Sequence, residues 1–96
     1  MSIWVTLEME VLEGQFAELE PFLAERLPAV RGFDGALSVT LYYDDETRGL
    51  LIVEEWLSKQ HHAAYIQAIS ENGVLARLAA FMTAPPEVRY YKRLVI

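Results

Sequence analysis

Between Leu50 and Ile69 the sequence LLIVEEWLSKQHHAAYIQAI passes from an apolar strand into a helix with no linker, and that junction leaves few folds open. Leu50 to Trp56 is rich in β-formers and too short for a helix, while Ser58 is a residue whose hydroxyl caps the free amides of a first helical turn. The strand is therefore expected to end at Trp56 and the helix to begin near Lys59. At 100° per residue, Tyr65 and Ile69 centre an arc that also holds Ile66, His62 and, at its edge, His61, with Gln67, Ser70 and Glu71 opposite. His61 and His62 are the chain's two histidines, and both are expected to point partly inward. A helix with two imidazoles and a phenol on its buried side, next to a tryptophan, is either a polar-tipped core or one wall of a pocket.

The flanking segments supply the rest of a sheet. Ile3 to Val11 alternates strictly, with Ile3, Val5, Leu7, Met9 and Val11 on one face and Trp4, Thr6, Glu8 and Glu10 on the other, which predicts a first strand. Gly14 ends it. Phe16, Leu19, Phe22, Leu23, Leu27 and Val30 then recur at helical spacing, predicting a helix over about residues 15–30 in which Pro21 imposes a kink or a tightened turn. Gly32 and Gly35 are expected to provide a left-handed helix end and a turn. Ala36 to Tyr43 alternates again, and the polar turn from Asp44 to Gly49 joins it to the Leu50 strand as a hairpin. Asn72-Gly73 stops the second helix, Val74 to Met82 reads as a short apolar helix, and Glu87 to Ile96 as the last strand. The order β-α-β-β-α-β is the split βαβ, or ferredoxin-like, arrangement: an α+β fold with one four-stranded antiparallel sheet and helices on one face. One domain over residues 1–96 is expected.

That sheet is apolar on both sides. Leu50, Leu51, Ile52 and Val53 cannot all face the helices, and the last segment offers Leu94 and Ile96 on one side with Tyr91 and Val95 on the other. An uncovered face of several hundred Å² is rarely tolerated by a monomer, so a homodimer with sheets face to face is expected. Eight basic residues stand against fourteen acidic ones, for a net charge of −6, which repels phosphate backbones and anionic lipid and argues against nucleic acid and membrane as partners. There is no cysteine, hence no thiolate chemistry or iron–sulfur ligation. The start, MSIWVTLEME, lacks a basic region followed by an apolar stretch, and a cytoplasmic protein is expected.

The run VEEWLSKQHHAAYI (Val53 to Ile66), with RGFDGALSVTLYYD before it and FMTAPPEVRYY after it, resembles the antibiotic biosynthesis monooxygenase family of dimeric α+β barrel proteins. The resemblance spans the chain, with Glu54 to Ser58 matching the family's Glu-x-Trp-x-Ser core. Such proteins oxygenate quinols or polyketide phenols without a cofactor, cleave haem, or isomerise small ketones. The resemblance makes Trp56 the family tryptophan and places Tyr65 where quinol-oxidising members carry a histidine and haem-cleaving members a tryptophan. Haem-cleaving members also use a first-strand asparagine and a histidine beyond the helical aromatic, and Leu7 and Leu75 stand at those positions. Haem is therefore not expected, and no cofactor is implied.

The expected site is a cleft between helix and sheet for a small aromatic or ketone ligand. His61 and Tyr65 are its candidate catalytic pair, since i,i+4 spacing lets the imidazole take a proton through the phenol near neutral pH. Trp56, His62 and Ile69 are the candidate substrate-binding residues. A non-catalytic ligand-binding dimer would need the same cleft without a titrating group. Glu54 and Glu55 point to opposite faces, so they form no acid–base pair, and the inward one is expected to meet Arg89 or Arg93 in an ion pair. Two histidines without a third convergent ligand give no metal site.

Overall fold

The structure is a computed structural model that describes all residues, Met1–Ile96. Four strands, β1 (Ile3–Glu10), β2 (Ala36–Asp44), β3 (Gly49–Trp56) and β4 (Glu87–Tyr91), form one sheet in the order β2-β3-β1-β4, and every neighbouring pair is antiparallel. Three helices, α1 (Phe16–Arg31), α2 (Lys59–Glu71) and α3 (Val74–Ala79), complete an α+β, ferredoxin-like fold. The alternation in β1 and β3 sorts side chains as the pleat requires. Val5, Leu7 and Met9 are buried on the helix side, as are Leu50, Ile52, Glu54 and Trp56, whereas Leu51, Val53 and Glu55 face the other way and are half-buried.

Helix α1 lays Leu19, Phe22 and Val30 into this core, with Phe16, Leu23 and Leu27 packed at its margin. Pro21 and Pro28 lie inside a helix that runs unbroken for 16 residues, and both rings sit on its exposed side. At the C-terminal end, Gly32 keeps a negative φ and its N–H donates to Pro28 O at 3.0 Å, so it is not the left-handed residue expected there. Gly35 is, with φ of +89°, and a Cβ at that position would fall 2.5 Å from His61 Cβ. The hairpin closes at Asp44, whose carboxylate accepts from the Glu46 N–H at 2.9 Å. Those turn amides hold the Asp44 pKa below its ordinary value.

Three boundaries differ from the sequence reading. Val11 leaves the strand but stays fully buried and bridges to Met82, which follows α3 instead of belonging to it. The last strand stops at Tyr91, not Ile96. Its partner β1 begins at Ile3, and Tyr91 already pairs with Trp4, so little strand remains for the residues beyond to bond. Leu94, Val95 and Ile96 are exposed.

Candidate functional site

The strand-to-helix junction sets the geometry. Ser58 caps α2 as its sequence position implies, its Oγ accepting from the His61 N–H at 3.2 Å. The same hydroxyl also captures the His61 ring, with Ser58 Oγ and His61 Nδ1 2.7 Å apart, while Nε2 faces the exposed Asp34 carboxylate at 3.9 Å. His61 thus lies along Gly35 at the outer edge of the helix. One residue on, the 100° step carries His62 to the sheet, where it is 1% exposed.

Under α2 lies a buried polar cluster. Trp56, fully buried, donates its indole N–H to Glu54 Oε1 at 2.8 Å, and His62 Nε2 stands 3.6 Å from the same oxygen. The other His62 nitrogen, Nδ1, is 2.8 Å from the hydroxyl of Tyr90 on β4. Aromatic edges enclose the group, with Trp56 packed against His62, Tyr65 and Phe33 at ring separations of 5.5, 5.3 and 6.2 Å. Burial raises the Glu54 pKa against the opposing effect of the Trp56 bond, and burial lowers that of His62.

On the far side of Glu54 a cavity of about 60 Å³ opens between α1, α2, α3 and the sheet. Its wall is apolar apart from Glu54, Arg26 and the Tyr65 phenol. The Arg26 Nε is buried without a hydrogen-bond partner. The Tyr65 pKa is pushed up to about 12, first by burial and then by the Glu54 charge, with Arg26 acting the other way. Leu23, Leu27 and Leu41 line this cavity and also an outer groove of about 260 Å³ between α1 and β2, where Phe16 stacks on Tyr43 at 3.8 Å.

Of the five expected site residues, Tyr65 and Ile69 border the cavity, and Trp56 and His62 stand behind Glu54. His61 is not brought to Tyr65, because Ser58 and Asp34 hold its ring elsewhere. Nor does Glu54 meet Arg89, which pairs with Glu87 on its own strand. Glu54 and Arg26 are additions to the expected set, and both carried a signal. Glu54 keeps the register of Leu50, Ile52 and Trp56, and Arg26 falls midway between Phe22 and Val30 on the apolar stripe of α1. No three His, Cys, Asp or Glu side chains converge as a metal site would need.

The family model for antibiotic biosynthesis monooxygenases matches residues 2–68, a span that contains Arg26, Glu54, Trp56, His62 and Tyr65. The chain belongs to this family. Structures resembling this family member include a candidate antibiotic biosynthesis monooxygenase from Bordetella bronchiseptica, with a TM-score of 0.85, 19% identity and 98% of each chain covered. Rv0793 from Mycobacterium tuberculosis has a TM-score of 0.84 and 18% identity, covering 100% of this chain and 98% of its own. A conserved protein from Methanosarcina mazei has a TM-score of 0.85 and 16% identity, covering 98% of this chain and 94% of its own. At these identities the likeness is one of fold. Among curated proteins, none matches. No helix is long and apolar enough to cross a membrane.

Proposed function

We propose that this antibiotic biosynthesis monooxygenase family member is a cofactor-independent monooxygenase that oxidises a small phenol, quinol or related enolisable aromatic. The observation that carries the reading is the apolar cavity lined by Glu54, Tyr65 and Arg26, whose guanidinium Nε is buried without a hydrogen-bond partner. Glu54, a stronger base than a surface carboxylate because it is buried, takes the substrate's acidic proton. Arg26 and Tyr65 donate hydrogen bonds to the oxygen that becomes negative. The resulting electron-rich anion reduces O2 by one electron, and recombination forms a carbon–oxygen bond as a peroxide. Glu54 returns its proton to the peroxide. The hydrogen on the same carbon then leaves as a proton while its bonding electrons form the carbonyl and the O–O bond breaks, so that the departing hydroxide and that proton make water.

The cavity has room for only a few waters, so an aromatic ring enters from the outer groove as Leu23, Leu27 and Leu41 move apart. Tyr65 and Ile69 border the reacting ring, Trp56 fixes the carboxylate, and His61 lies outside the proton-transfer set. We also infer a homodimer formed by the open sheet face, where Trp4, Leu51 and Val53 are half-buried, Tyr42 and Tyr91 are exposed, and the Trp4 indole nitrogen is buried without a partner. The test is oxygen consumption with a panel of hydroquinones and anthrols, read together with product spectra. Catalytic uptake with appearance of a quinone is expected. Saturable, stoichiometric binding without uptake would instead mark a ligand-binding protein, and enol–keto exchange without uptake an isomerase.

A further inference from the structure

Glu54, His62 and Tyr90 stand in a line that leads out of the molecule. Glu54 borders the cavity, His62 Nε2 is 3.6 Å from its Oε1 and has no hydrogen-bond partner, and His62 Nδ1 is 2.8 Å from the Tyr90 hydroxyl. Tyr90 is 42% exposed and lies in a surface depression with Ile3, Lys59, Tyr91 and Lys92. An imidazole with one nitrogen toward a buried carboxyl and the other on a solvent-reaching hydroxyl can pass a proton through without changing its own net protonation. We propose that Glu54, His62 and Tyr90 form a proton path between the cavity and the surface, with His62 and Tyr90 acting as positioning and relay residues and not as groups that touch substrate.

The path rests on the reading of Glu54 as the cavity's base. A protonated Glu54 gives its proton to His62 Nε2 once the 3.6 Å separation closes by a few tenths of an ångström. The Nδ1 proton then passes to the Tyr90 oxygen, and the Tyr90 hydroxyl proton leaves to water. One proton enters, one leaves, and the imidazole changes tautomer; inward transfer along the same line restores it. Burial raises the proton affinity of Glu54 and lowers that of His62, which narrows the gap between donor and acceptor. The charged or titratable groups around the line are Tyr65 and Arg26 on the cavity side of Glu54 and, at the surface end, Tyr91, Lys92 and Lys59, whose ammonium lies 5.0 Å from the centre of the Tyr90 ring. The third member, Tyr90, comes from a strand outside the segment that the family model matches.

The path can be tested without a substrate, because the Trp56 indole bonded to Glu54 reports that carboxyl's protonation through its fluorescence. In a Trp4→Phe background, where Trp56 is the remaining tryptophan, a laser-induced pH jump is followed at the indole signal. Glu54→Gln should abolish the transient, and Tyr90→Phe and His62→Gln should each slow it about tenfold or more, as expected when a positioned proton carrier is lost. Tyr90→Phe is the safer of the two, since its ring sits at an exposed sheet edge. A merely structural role would change the melting temperature and leave the relaxation rate unmoved. A transient that survives Glu54→Gln, or that keeps its wild-type rate in both relay variants, overturns the path. Failure of the monooxygenase reading shows separately, as absent oxygen uptake by the wild type.

Discussion

The two faces of the sheet treat the same residue type in opposite ways. Glu54 and Glu55 are adjacent, yet Glu54 is turned under the helices at 5% exposure, held by an indole N–H and faced by an imidazole, while Glu55 lies half-buried on the open face and accepts a bond from the Ser2 hydroxyl. The period of two decides which carboxylate becomes expensive to ionise. The histidines of α2 repeat the contrast with a 100° step: His62 is sealed against the sheet and His61 is drawn off by Ser58 and Asp34. The helix-covered face therefore concentrates perturbed groups around one cavity, and the open face carries half-buried apolar side chains without a cover. In the proposed reading, chemistry belongs to the first face and association to the second.

Removing the largest buried side chain from the covered face should break this division most severely. Trp56→Ala is expected to cost about 3–5 kcal/mol of stability in chemical denaturation, because the ring is fully buried and its loss also strips Glu54 of its donor. A loss under about 1 kcal/mol would mean that the cluster is not packed as described.

On the open face the corresponding change is Val53→Lys, which should leave the helical circular dichroism near wild type while light scattering falls from the mass of two chains to that of one. The adjacent Ile52→Lys should instead unfold the protein, since Ile52 belongs to the core beneath the helices. Equal effects at the two positions would erase the distinction between the faces.

A smaller effect is expected in alkali. An unfolded tyrosine loses its proton near pH 10, whereas folded Tyr65 holds its proton to about 12. Between those values the unfolded state binds fewer protons, so stability should fall as pH rises, and Tyr65→Phe should flatten that decline. A variant as steep as wild type would place the phenol outside the buried cluster.

The strands, the Asp44–Gly49 hairpin and the Ser58 cap were legible because each depends on neighbours in sequence. Alternation at Ile3–Val11 and Leu50–Trp56 also sorted the side chains onto two faces and set Glu54 and Glu55 apart, without saying which of the two would be buried. It also left open the carboxylate's partner: the sequence offers Arg89 or Arg93, while the fold places Trp56 and His62 there and leaves Arg89 with Glu87. The Tyr90 contact with His62 spans 28 positions and depends on β4 pairing with β1, which no local pattern encodes. The helical wheel put His61 at the edge of the buried arc, where its half-buried ring is bonded to the Ser58 hydroxyl three residues earlier and faces Asp34. Arg26 was visible as a cation on an apolar stripe, but only the cavity explains why it is there.

The central claim, that the covered face holds a base and the open face does not, is tested most directly by measuring oxygen uptake for Glu54→Gln and Glu55→Gln with a phenolic substrate turned over by the wild type. Glu54→Gln should lower kcat by about 10²–10⁴-fold, the range for loss of a general base, while Glu55→Gln stays within about twofold, as a substitution remote from the chemistry should. Full activity in Glu54→Gln, or an equal loss in both variants, would contradict the account.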